Sequence, residues 1–446
     1  MLPPGPRTPA LWQTFRFSTS PREYSAAVKA QYGLASRFRG LNGHGIAIAD
    51  PDLARDLFAA DPECFVTPPM LSDIFGPFSV LASSGALHKR QRRLLNPRFH
   101  GARVRAFQGT MQRVVHEHFD GLRKAASEGR VVVMTQLAQA LTLDLILETV
   151  FGDSIGLERP KARGILHDLV RSLSSIFVFA KALRSPLFPP WRRFLRRRAA
   201  FDGWVDGIVD RRRAAGKLGE DILGLLLEAR YDDGSPMGDD EIRDLVMTLL
   251  LAGHETTAIA LAWGTYWLLR YPETMARLRE AIDALGPEPS PEALSHLPYL
   301  QAVISETLRI EPVVTDIGRI CRVPVRLGAY TVPAGQVAVV NVSAIFASET
   351  LFPDPLCFRP ERFLDASFSA WQFMPFGGGH RRCLGASFAE AELAVALGAL
   401  AGEWDLALAD GPPERAVRRN ITMGPRYGVR VRVLGAREAR VIARAS

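Results

Sequence analysis

The stretch FGGGHRRCLG, residues 376–385, places three glycines and two arginines directly ahead of one thiol, Cys383. Glycine loses more backbone freedom on folding than any other residue, and neighbouring cations repel, so both need a local use. A thiol with an ordinary pKa near 8.5 stays mostly protonated at neutral pH unless a cation, a helix N-terminus or a metal favours the thiolate. Here Arg381 and Arg382 precede the thiol, and the helical pattern ASFAEAELAVALGALAGEW starts just beyond it. Gly377, Gly378 and Gly379 let the backbone turn tightly and approach something flat, where any Cβ would collide, and Phe376 would pack on that surface.

A flat, iron-containing dianion of this description is haem, whose propionates account for an arginine beside the thiolate. The bland alternative is a glycine-rich turn with a buried structural cysteine, and the residues around Cys383 alone do not separate the two.

The rest of the chain sets the bounds. Its 446 residues are 47% hydrophobic and 23% charged, a globular composition with length for one large domain or two ordinary ones. No uninterrupted apolar run approaches the roughly 18–20 residues that span a bilayer. The longest run, LVMTLLLAG, stops at His254 and Glu255, and the N-terminus lacks the layout of a secretory signal, so a soluble, cytoplasmic protein is expected. Cys64, Cys321, Cys357 and Cys383 are too scattered for a zinc site, and the cysteines other than Cys383 read as small buried hydrophobes. A net charge of +8 is too modest for a nucleic-acid binder, although residues 191–213 are locally basic, either as a solvated helix face or as a docking patch for an acidic partner or membrane surface.

The expected fold class is mainly α with a smaller β region, in a single domain over 1–446 without repeats or a separating linker. Helical patterns dominate about 85–310 and 380–402, and β-rich parts fall at about 33–50, 319–345 and 405–435. The proline-rich opening, MLPPGPRTPALWQ, reads as extended, and 67–85 as a greasy loop. VRLGAYTVPAGQVAVVNVSAIF reads as a hairpin around Pro333-Ala334-Gly335. DDEIRDLVMTLLLAGHETTAIALAWGTYWLLR, apolar on nearly all sides, reads as one long helix through the centre.

The spacing Phe376, Gly379, Arg381, Cys383, Gly385 resembles the haem-binding signature FxxGxRxCxG of the cytochrome P450 superfamily at every specified position. Three more motifs follow the family's order. ETLR puts Glu306 and Arg309 on one helix face, and FRPERF supplies Arg362 as the third member of a buried triad with a structural role. AGHETT matches the oxygen-activation motif, with Ala252 and Thr256 on one face at i and i+4 and Glu255 and Thr256 as the acid–alcohol pair for proton delivery. HKRQRR sets His88 and Arg92 four apart, a position that contacts haem propionates in the family, as Arg319 and Arg381 would.

The resemblance implies a cytochrome P450 fold with the long helix over haem b. It also implies a haem-thiolate monooxygenase, an oxidoreductase hydroxylating or epoxidising a hydrophobic small molecule with O2 and two electrons. Without a flavin or nicotinamide fingerprint, a ferredoxin or flavodoxin and its reductase would bring those electrons from NAD(P)H, and Arg90, Arg93, Arg98 and Arg382 are candidate docking charges. The family's layout draws the substrate pocket from Met70, Leu71, Ile74, Phe75, Phe78, Leu249, Ala252, Val313, Val314, Ile421, Thr422 and Met423, which suits a fatty acid, terpenoid, steroid or polyketide. A monomeric, soluble bacterial-type enzyme without a membrane anchor is the expectation, with Leu187–Trp191 left open as a membrane contact or substrate gate. A non-catalytic haem-thiolate binder or sensor, and a peroxide-driven peroxygenase, are the alternatives.

Overall fold

The computed structural model describes the chain except for residues 42, 174–176, 178–182, 217 and 438–446, and except for the side chains of 153, 154 and 157. Its axis is the central helix Asp239–Arg270. Asp239, Asp240 and Glu241 complement the positive end of its dipole, and Pro272 moves Tyr271 out of helical geometry to end it. The helix packs between Met134–Phe151 and Ala386–Glu403, two helices buried on several sides, as is this one. Gly264 permits the second contact, since a Cβ there would lie 2.9 Å from a methyl of Leu397. By length and composition this helix could cross a membrane, but 72% of its most apolar window is buried inside the protein, so it serves as a core helix.

The β region forms a five-stranded sheet ordered Ala35–Gly40, Gly43–Ile48, Val337–Asn341, Asp316–Cys321, Phe65–Val66. All its pairings are antiparallel except that of Gly43–Ile48 with Val337–Asn341. The expected hairpin is therefore corrected. Val325–Leu327 pairs with Tyr330–Val332 around Gly328, whereas the strand after Pro333-Ala334-Gly335 joins the large sheet. The turn residues were visible, but the choice of partner strand is a tertiary matter.

Two further expectations change. The opening segment is helical from Ala10 to Thr19, held by Gln13, whose amide donates to the Thr8 carbonyl at 2.7 Å and accepts from the Arg39 N–H at 2.9 Å. The greasy loop contains the helix Pro69–Phe75, which Pro69 can start because helix position N1 has no use for its missing N–H. Cys357 is exposed and Cys64 is half-buried, so only Cys321 is the buried hydrophobe expected of the three.

The basic stretch lies in the helix Pro189–Ala215 and is largely paired within the chain. Arg197 pairs with Asp168, Arg198 with Asp202 and Asp244, Arg211 with Glu158, Arg212 with Asp221 and Arg213 with Asp239. Most of that local charge is internal ion pairing.

Candidate haem-thiolate site

The Cys383 N–H donates to the Phe376 carbonyl at 2.9 Å and closes the 376–383 loop, after which the helix Ala386–Glu403 begins at Gly385. Gly377 and Gly379 occupy positive φ, +72° and +67°. A Cβ at Gly379 would lie 2.3 Å from the Phe58 carbonyl oxygen, and one at Gly378 would lie 2.6 Å from the Phe58 ring. Part of the glycine requirement thus comes from the helix Pro51–Ala59, a partner that sequence patterns gave no means of placing. Protein encloses the Cys383 thiol on almost every side, yet its side chain is accessible, which describes a thiol opening on interior space. Burial pushes the thiol up, while the Gly385 N–H, Arg92 and Arg382 pull it down.

Next to the loop is a concentration of positive charge. His88 is buried on the helix Gly85–Leu95, and its ring meets that of His380 edge-on at 5.7 Å. Burial first, then Arg381, His380, Arg92 and Arg319, pushes His88 down to about 3. His380 falls to about 4 through burial, Arg319 and Arg381. Burial takes Arg319 down to about 10 with Arg381 adding to it, and Arg381 likewise to about 10 with Arg92 adding to it. Arg319 lies over the Phe58 ring at 5.4 Å, and Arg381 donates to the carbonyls of Leu81, at 3.3 Å, and Ser83. Among the described residues no carboxylate forms an ion pair with Arg92, Arg319 or Arg381. Buried cations without a carboxylate are costly, and a bound dianion removes the cost.

On the central helix, Leu249, Ala252, Gly253 and Thr256 are partly accessible while Leu250, Leu251, His254 and Thr257 are buried. Their i, i+3, i+4, i+7 spacing makes one face that opens on space inside an otherwise packed helix. The Thr256 hydroxyl donates to the Ala252 carbonyl at 2.8 Å. Glu255 is raised by burial, with Arg419 the cation opposing the shift. His254 turns inward, its Nδ1 2.6 Å from the Leu250 carbonyl, and burial keeps it neutral.

Glu306, at 0% exposure, accepts from Arg309 at 2.7 and 2.8 Å, from Arg362 Nε at 3.1 Å and from the Arg359 N–H at 2.9 Å. The arginines spend their remaining N–H groups on carbonyls of Phe346, Pro353 and Pro355. The three residues are thus together, and they bind the irregular segment 346–362 to the helix Pro298–Ile310.

The expected pocket residues scatter more. Ile74, Phe75, Val313, Thr422 and Met423 are buried, Met70, Leu71, Leu249, Ala252 and Val314 are half-buried, and Phe78 and Ile421 are exposed. Met423 is joined to Val313 through its N–H at 2.8 Å, whereas the Thr422 hydroxyl is taken up by the Arg419 carbonyl at 2.7 Å. Sequence reasoning missed Phe58, His380 and Glu392. His380 sits on a free motif position, and Glu392 resembles any polar residue of a helix until its burial is known.

An enclosed but accessible thiol, one buried and two half-buried arginines without a carboxylate ion pair among the described residues, and an open stripe on the central helix together fit an iron porphyrin carrying two carboxylates, the group of a haem-thiolate protein. The chain matches the cytochrome P450 family profile over residues 2–427. It is 34% identical to a putative cytochrome P450 138 of Mycobacterium tuberculosis, with 96% of each chain covered. It is 32% identical to a putative cytochrome P450 135B1 of Mycobacterium bovis over 100% of this chain and 94% of that one. Two solved structures superpose with TM-score 0.86. One is the retinoic-acid-bound cyanobacterial CYP120A1, 25% identical over 98% of this chain and 99% of that one. The other is the haem domain of cytochrome P450DA, 23% identical over 99% and 98%. The chain belongs to the cytochrome P450 family, has its α+β fold, and is a haem-dependent monooxygenase.

Proposed function

We propose that the protein hydroxylates or epoxidises a hydrophobic small molecule of the fatty acid, terpenoid, steroid or polyketide kind, with electrons from NAD(P)H delivered by a ferredoxin or flavodoxin and its reductase. The observation that carries this reading is Thr256 on the open stripe of the central helix with the half-buried acid Glu255 next to it in the chain, an acid–alcohol pair that a ligand sensor has no use for. Haem, when bound, supplies dioxygen activation, inserting one oxygen atom into substrate and releasing the other as water.

The chain's own residues do the rest. Cys383 would hold the iron of the haem through its thiolate, an electron-rich ligand suited to the oxygen chemistry that the group would supply. His88, Arg92, Arg319 and Arg381 would hold its propionates, and Phe376, Gly379 and Gly385 shape the cysteine loop that would receive it. Burial raises the Glu255 carboxyl above its ordinary value, which makes it a better proton carrier, and the Thr256 hydroxyl would relay the proton by exchanging its bond to the Ala252 carbonyl. Glu306, Arg309 and Arg362 keep the segment leading to the cysteine loop in place. Leu249, Ala252, Val313, Val314 and Met423 exclude water around the substrate, with the aromatic and aliphatic side chains of 70–78 and Ile421 and Thr422 at its margin. Retinoic acid, named as bound in the cyanobacterial relative, is an isoprenoid carboxylic acid with a long apolar body, a ligand of this kind.

Of the candidate docking charges, Arg90 pairs with Asp233 at 3.8 Å and Arg93 pairs with Asp232, which leaves Arg98 and Arg382 as the positive face for an acidic donor. A cytoplasmic monomer is part of this reading, and the mostly buried central helix supports it as a core helix rather than a membrane span. The test is a panel of fatty acids, terpenes and steroids titrated into ferric protein, followed by turnover with reconstituted partners. A ligand that shifts the spin state should be oxidised in an O2- and NAD(P)H-dependent way; tight binders that are never oxidised would turn the reading to a sensor.

A further inference from the structure

The first helix is built inside out. On Ala10–Thr19 the residue facing the protein is polar, Gln13 at 2% exposure, whereas Leu11, Trp12 and Phe15 stand outward at 67%, 46% and 61%. Positions 11, 12 and 15 share one helical face, so the apolar groups are contiguous. Leu41 extends the patch: it is 54% exposed, and its N–H donates to the Thr14 hydroxyl at 3.0 Å. A soluble helix ordinarily turns this face inward. Gln13 prevents it from rolling over, because its three hydrogen bonds to the Pro6 and Thr8 carbonyls and the Arg39 N–H fix the orientation.

The patch has a basic border. The first 41 residues contain six Lys and Arg against the single acid Glu23. Arg22 is taken by Glu311 at 2.6 Å, but among the described residues no carboxylate pairs with Arg7, Arg16 or Arg39. Arg16 lies 5.8 Å from the Trp12 ring centre, placing a cation at the edge of the apolar surface. Exposed Trp, Phe and Leu with Arg16 at the rim, in a basic segment, match the layering of an anionic lipid surface, apolar below the headgroups and negative at them. A second copy of this chain would bring the same unpaired arginines against one another, so charge complementarity favours lipid.

We propose that the Ala10–Thr19 helix lies in the headgroup region of an anionic phospholipid bilayer and holds the enzyme on the membrane as a peripheral, non-spanning protein. This placement would let an apolar substrate reach the enzyme from lipid.

The test is flotation of the haem-loaded protein with vesicles of phosphatidylcholine alone and of phosphatidylcholine with phosphatidylglycerol, alongside light scattering to measure mass. The expected result is partition into the anionic vesicles only, weakened by salt. Trp12→Ser with Phe15→Ser should lower the partition roughly tenfold or more, and Arg7→Glu with Arg16→Glu should do likewise while the carbon monoxide spectrum stays unchanged. Absence of vesicle binding, equal binding to both vesicle types, or a dimer that the Ser variants make monomeric would each overturn the proposal.

Discussion

Among single residues, Glu306 carries the heaviest structural demand, since one buried carboxylate answers two buried guanidinium groups. Glu306→Gln leaves those cations short of charge, and the cost expected is ~3–5 kcal/mol, read as loss of soluble, haem-loaded protein. Thr256→Ala should keep substrate binding but waste electrons, seen as NAD(P)H consumption exceeding product; unchanged coupling would remove Thr256 from the proton path. Glu392 gives a pH prediction. Buried beside Thr257, its carboxyl is raised from the ordinary 4.5 to about 8, so the folded state holds a proton that the unfolded chain releases. The associated stability is complete below about 4.5 and is lost as pH rises to about 8. Glu392→Gln should therefore melt near the parent temperature at pH 5 and above it at pH 9; no difference at pH 9 would mean the carboxyl is solvated. The sequence displayed Cys383, Glu306 and Thr256 because fixed spacings mark them. Glu392 carries no such mark: it depends on which helix packs over it, and only the three-dimensional structure says so.

At the scale of elements, the cysteine loop is shaped as much by Phe58 as by the group it holds. Gly379→Ala combines positive φ with a collision against the Phe58 carbonyl, so a loss of at least ~2 kcal/mol is expected, with weaker haem retention. Ala at 385, where no protein atom lies within 4 Å of a built Cβ, should cost less stability in the haem-free protein, and a comparison of the two melting temperatures checks this. The long helices were legible: Asp239–Arg270 and the helix after Gly385 follow their acidic and periodic signals. The helix at Ala10–Thr19 was not, because its outward apolar face and its inward Gln13 reverse the pattern used to recognise one. The misplaced hairpin has a tertiary cause: the strand Val337–Asn341 pairs not with Tyr330–Val332 but with Asp316–Cys321 on one side and, some 290 residues upstream, with Gly43–Ile48 on the other.

Over the whole molecule, charge separates into an interior store and a surface remainder. Arg93 is engaged by Asp232, whereas Arg382 is exposed and among the described residues no carboxylate forms an ion pair with it, so Arg382→Glu should slow reduction by an acidic donor more than Arg93→Glu does, with stopped-flow reduction as the readout and equal effects counting against this docking face. The family was legible in the sequence because haem ligation needs particular residues at particular spacings; the substrate was not, because apolar walls are made by many interchangeable side chains from distant segments. The central claim, that Cys383 is the axial thiolate of a haem monooxygenase, meets its most direct test in the reduced protein under carbon monoxide. The account predicts a strongly red-shifted Soret band that disappears in Cys383→Ser; a wild-type spectrum without that band, or one that survives the substitution, would contradict it.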